Sequence, residues 1–178
     1  MGGSGRVRMS AVSYRDATPA DAAVVADLFA RAFVETFGHL YSEKNLKAFL
    51  ATVTADGYAA ELDDPAFEIR IAEADGVAVA FAKIGPPSLP VEPPPNTVEL
   101  RQIYVLAPWQ GSGIGPALFD WAAGRARARG AEHLQLTVYL DNHRAKAFYE
   151  RRGFSETGRY AFMVGNQADE DIIMRCRL

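Results

Sequence analysis

"LRQIYVLAPWQGSGIGPALFDWA", residues 100–122, runs an apolar stretch into a loop with three glycines and then into a helical pattern. Glycine is poor helix material, so three of them at a helix mouth need a reason. A helix start leaves about four backbone N–H groups without partners. The helix dipole adds partial positive charge at the same end. Glycines let an anion approach that backbone closely, so "QGSGIG" reads as a phosphate cradle, or else as a plain strand-to-helix turn. A nucleotide P-loop would need Gly-Lys followed by Ser or Thr, whereas Gly115 precedes Pro116 and Ala117. A dinucleotide fingerprint would place its third glycine one position later than Gly111, Gly113 and Gly115 allow.

Working outward, Thr97–Ala107 reads as a strand and residues 113–129 as a helix ended by Gly130. His133–Leu140 is the next strand, and residues 141–152 form a helix stopped by Gly153. This strand–helix–strand unit requires a parallel pair with a right-handed crossover. Upstream, Phe67–Ile84 holds two alternating runs joined at Asp75-Gly76, a hairpin signal. Six of the ten prolines fall in 85–96, an extended surface loop.

Further upstream, Val12–Arg15 is a short strand, and Thr18-Pro19 starts a helix whose apolar face carries Val24, Val25, Leu28, Phe29, Ala32 and Phe33, with Gly38 as its stop. Ser42 and Thr54 are caps of two further short helices. The chain closes on two strands around a turn at Asn166-Gln167. The expected fold is a mixed α/β arrangement: a central, mostly antiparallel twisted sheet with one parallel pair, flanked by helices.

The 178 residues suit one domain, 11–178, with residues 1–10 read as an expression scar or disordered N-terminus. A net charge of -3 argues against nucleic acid as the main partner, and no apolar run suggests a membrane span. The single cysteine, Cys176, and the lack of a visible signal peptide lead to the expectation of a cytoplasmic protein. His133 and His143 lack metal-ligand spacing, so no metal is expected.

Two segments together carry a resemblance. Gln110, Gly111, Gly113 and Gly115 fill Gln/Arg-x-x-Gly-x-Gly/Ala in one of several possible alignments, and Asn142, Ala145, Ala147, Phe148, Tyr149, Gly153 and Phe154 fill a following Asn…Ala…Phe-Tyr…Gly-Phe segment. The chain thereby resembles the GNAT superfamily of N-acetyltransferases. "ETFGHLYS", "ELRQIYVL" and "FMVGNQADEDIIM" further resemble bacterial spermine/spermidine acetyltransferases of the PaiA type. The resemblance implies direct transfer of acetyl from acetyl-CoA, as cosubstrate, to a primary amine such as spermidine or spermine. It implies that Gln110, Gly111, Ser112, Gly113, Ile114, Gly115 and Pro116 wrap the pyrophosphate, and that the backbone of Ile103, Tyr104 and Val105 pairs with the pantetheine amides.

Asn142 and Ala145 are expected at the cofactor, with Asn142 also a helix cap. Tyr149 is expected to protonate the leaving thiolate, the alternative being a core tyrosine. Glu99 is the first candidate for the base, or else an exposed strand residue. Glu35, His39 and Tyr41 are expected at the acceptor, His39 alternatively an ordinary turn residue. A homodimer through the last strand is compatible with the resemblance. Two other functions stay open: acetylation of protein lysines or N-termini, and a non-catalytic acyl-CoA-binding regulator.

Overall fold

The computed structural model describes residues 11–178; the expectation about residues 1–10 lies outside the described residues. Strand β1 (Val12–Asp16) leads to helix α1 (Ala22–Phe37), followed by α2 (Glu43–Leu50) and α3 (Ala55–Asp63). Strands β2 (Glu68–Ala74), β3 (Val77–Gly85) and β4 (Thr97–Val105) come next. Then come α4 (Ile114–Ala128), β5 (His133–Tyr139), α5 (His143–Glu150), β6 (Ser155–Val164) and β7 (Gln167–Arg177). The sheet order is β1-β2-β3-β4-β5-β7-β6, antiparallel throughout except β4–β5.

Local chemistry accounts for most element ends. The Ser42 and Thr54 hydroxyls accept the N–H groups of Asn45 and Gly57, as N-caps do. Asp75 and Gly76 both adopt positive φ, 51° and 77°, the two-residue turn that matches strand twist. Thr18-Pro19 opens a one-turn 3-10 segment, and α1 begins only at Ala22. Val24 is exposed, while Val25, Leu28, Phe29, Ala32 and Phe33 are buried. The last turn lies at Gly165 and Asn166, one residue earlier than expected, with Gly165 in the left-handed region.

The sheet separates two cores. On one face Leu118, Ala122 and Ala126 of α4 meet Ala80, Ala82, Leu134 and Leu136. On the other, Leu28, Phe29 and Phe33 of α1 meet Ile69, Ile71 and Phe81. Each fully buried leucine or phenylalanine contributes roughly 1.5–3 kcal/mol. Among the described residues, no helix is long and apolar enough to cross a membrane.

One irregularity shapes the middle of the sheet. Lys83 pairs with Gln102 and Ile84 with Leu100, which leaves Arg101 as an extra residue in β4. Such a bulge bends its strand and raises its twist. β4 pairs with β5 only over Thr97–Glu99, against His133–Gln135. Beyond Glu99 the two parallel strands part, and a cleft opens between them.

Candidate active site

The cleft has a volume of about 880 Å³. One end is the glycine loop at the start of α4; the other is an aromatic chamber walled by Phe33, Phe37, Tyr41, Phe49, Tyr139 and Phe162. Phe33 stacks on Tyr41 with ring centroids 6.0 Å apart and lies 4.8 Å from Phe49.

The loop is shaped from within. Gly111 and Gly113 have φ of 78° and 89°, a backbone state that side chains disfavour. A Cβ built on Gly111, Gly113 or Gly115 meets nothing within 4 Å, so the backbone faces open space. The Ser112 hydroxyl donates to the Trp109 carbonyl, and Gln110 Nε2 donates to the Val105 carbonyl at 3.1 Å. Ile114 is buried in the core, so only its backbone can face a ligand. Pro116 has no N–H, but it sits in the first turn, where no intrahelical partner is lost.

These features fit a pyrophosphate: a bare, curled backbone at the positive end of a 15-residue helix. On the side facing β5, β4 beyond Glu99 has no strand partner, which fits strand-like pairing with an amide-bearing arm. Ile103 and Val105 pack toward α4, whereas Tyr104 lies in the opposite core, 5.0 Å from the Phe29 ring. Asn142 Oδ1 accepts the Ala145 N–H at 3.2 Å, capping α5 at the cleft wall.

Tyr149 lines the cleft with 7% of its surface exposed, packed against Phe119, Phe148 and Phe154. Burial pushes its hydroxyl well above the usual phenol range, so it holds its proton at neutral pH.

The acidic residues sort differently from the sequence expectation. Glu99 is buried rather than exposed and does not line the cleft. Its oxygens accept the Ser88 N–H at 2.8 Å, the Ser88 hydroxyl at 2.9 Å and Gln135 Nε2 at 3.1 Å. It pins the proline-rich loop to the sheet. Glu35 accepts the Ala107 N–H at 2.9 Å, tying α1 to the turn after β4. Glu35 and His39 are exposed, and neither lines the cleft. Tyr41 does, and its hydroxyl donates to Asp169. Burial, and then that carboxylate, push the Tyr41 hydroxyl upward.

Sequence reasoning missed Asp171. Among the described residues it is the sole carboxylate lining the cleft. It is 8% exposed, and burial, followed by the charge of Asp169, pushes its pKa up to about 6. A signal was present: in "QADEDIIM", Asp169 and Asp171 share a strand face with Ile173, a polar pair on a face that becomes core.

Comparison with known proteins agrees with this geometry. The model of the acetyltransferase (GNAT) family matches residues 24–154. An uncharacterized N-acetyltransferase encoded in the pepI 3' region of Lactobacillus delbrueckii subsp. lactis is 28% identical over 145 residues, covering 80% of this chain and 84% of the relative. The PaiA N-acetyltransferase of Thermoplasma acidophilum, solved in complex with coenzyme A, superposes with a TM-score of 0.75 at 17% identity, covering 94% of this chain and 99% of that one. The yncA protein of Salmonella typhimurium, a putative acetyltransferase solved with acetyl-CoA, superposes with a TM-score of 0.73 at 22% identity, covering 95% of each chain. At these identities the two solved structures bear on the fold alone.

Proposed function

The chain belongs to the acetyltransferase (GNAT) family of acetyl-CoA-dependent N-acetyltransferases, and from that premise we propose that its acceptor is a small primary amine with further positive charge, a polyamine of the spermidine or spermine kind. The observation that carries this reading is the cleft itself. It joins the glycine loop at the start of α4 and the β4 side that β5 leaves unpaired to an aromatic chamber with a carboxylate in its wall. An alkyl polyamine has two needs, apolar walls for its methylenes and π-faces or carboxylates for its ammonium groups, and the chamber offers both.

In this reading the loop 110–116 holds the pyrophosphate through backbone N–H groups, and the β4 edge at Ile103–Val105 holds the pantetheine arm. Asn142 and Ala145 form the wall beside that arm. Tyr149 gives its proton to the departing sulfur, a role its buried, protonated hydroxyl suits.

Release of free thiol from acetyl-CoA tests the proposal, measured with spermidine, spermine, diamines, amino acids and peptides as acceptors. Spermidine or spermine should give the highest kcat/KM, and Tyr149→Phe should lower kcat about 10²- to 10⁴-fold with little change in acetyl-CoA affinity. Efficient acetylation of peptides or amino acids without polyamine turnover overturns the acceptor assignment. Full turnover by Tyr149→Phe removes the tyrosine from the chemistry.

A further inference from the structure

An amine with a pKa near 10 is free at neutral pH in only about one molecule in a thousand. A group at the cleft must therefore take its proton before the nitrogen can attack. Glu99 and Glu35 are engaged elsewhere, the first by Ser88 and Gln135, the second by the Ala107 N–H. Histidine does not occur in the cleft wall among the described residues.

We propose that Asp171 is the proton acceptor of the reaction, facing the acceptor amine across the aromatic chamber; the proposal rests on the acetyl-transfer reading above. Its surroundings separate it from its neighbour Asp169. The oxygens of Asp169 are taken by the Tyr41 hydroxyl and, at 3.2 Å, by Gln167 Nε2. Thr137 of β5 lines the cleft beside it and favours its charged form. Tyr139 of β5 and Tyr160 of β6 lie opposite it in the sheet. Arg101 and Tyr104 of β4 and Tyr41 line the same cleft. Burial beside Asp169 leaves it a stronger base than an exposed carboxylate, close to what neutral pH requires.

The ionised Asp171 carboxylate takes one proton from R–NH3⁺, giving R–NH2 and a neutral carboxyl. The nitrogen lone pair forms the N–C bond to the acetyl carbonyl, and the C–S bond breaks. The sulfur receives the Tyr149 proton, and the nitrogen's surplus proton restores the tyrosine. The Asp171 proton leaves to water, so the products are the amide, the thiol and one released proton.

The test is the pH profile of kcat/KM for spermidine in the wild type, Asp171→Asn and Glu99→Gln, with acetyl-CoA affinity measured by calorimetry as the control for folding. The wild type should show an acidic limb near pH 6. Asp171→Asn should lose that limb and lower kcat at pH 7 by about 10²- to 10⁴-fold, with the deficit narrowing as pH approaches the amine's own pKa. Acetyl-CoA affinity should not change, and Glu99→Gln should keep the limb. An Asp171→Asn enzyme that keeps kcat and the limb, or that only raises KM, overturns the inference while acetyl transfer stands. Loss of the limb in Glu99→Gln instead assigns the base to that residue. A wild type that acetylates no amine overturns the functional reading and this inference together.

Discussion

At the residue scale, the site turns on how each carboxylate is solvated. Glu99 is buried but met by three donor contacts, the pattern of a structural anion. Asp171 is buried with less compensation, and its raised pKa is a stability statement as well. Between the unfolded value of 3.8 and about 6, the folded protein binds the extra proton. The stability that the protonated Asp171 allows is fully present below 3.8 and is lost as pH rises through 6. Asp171→Asn removes the buried charge at nearly constant side-chain shape. It should therefore be more stable than wild type at pH 8, by about 1–3 kcal/mol, with the difference vanishing near pH 4. Urea denaturation at the two pH values checks this. An equal gain at both pH values would show that charge burial is not its source.

At the element scale, the start of α4 and the bulge in β4 work as a pair. The bulge bends β4 just past the point where its pairing with β5 ends, and the start of α4 lines the cleft there. Gly115 lies in the first turn of α4 without positive φ, and a Cβ there has open space. An acidic residue at that position suits the helix dipole, worth about 0.3–1 kcal/mol. Gly115→Asp should therefore leave the ligand-free domain as stable as wild type or slightly more so. Acetyl-CoA binding should be abolished, because the new carboxylate would stand in the loop proposed to hold the pyrophosphate and repel it. Thermal unfolding and calorimetric titration report the two effects separately. Unchanged affinity would place the cosubstrate elsewhere.

At the scale of the whole molecule, the chamber is assembled by α1, the segment after it, α2, β4, β5, β6 and β7, elements spread over most of the chain. The net charge is only -3, so long-range attraction for a polycation is modest; the cleft wall also carries Arg101, Arg144 and Arg151, and in the proposed reading the local attraction falls to Asp171 with Asp169 beside it. Exposed charges are screened over about 10 Å at 0.1 M salt. The KM for spermidine should accordingly rise with ionic strength, while that for a simple alkyl monoamine changes less. Steady-state kinetics over a salt series measures this. A salt-independent KM for spermidine would remove charge recognition from the acceptor assignment.

The element order, both capped helices, the Asp75-Gly76 turn and the glycine loop were legible in the sequence, because each depends on neighbours a few residues away. The parallel pair followed from the strand–helix–strand spacing, and the place of Tyr149 in the cleft from a resemblance carried by its helix. The fate of the acids was not legible. Leu100 and Tyr104 are four residues apart and would share a face in a regular strand, yet they pack in opposite cores because Arg101 is bulged between them. Strand parity therefore could not tell which side chains of β4 reach the cleft. Glu99 was settled by Ser88 in the proline-rich loop and Gln135 in the next strand, and Asp171 by Thr137 on β5 and its neighbour Asp169. Burial and hydrogen-bond partners are properties of the packed sheet, and they decide whether a carboxylate braces the fold or faces the cleft.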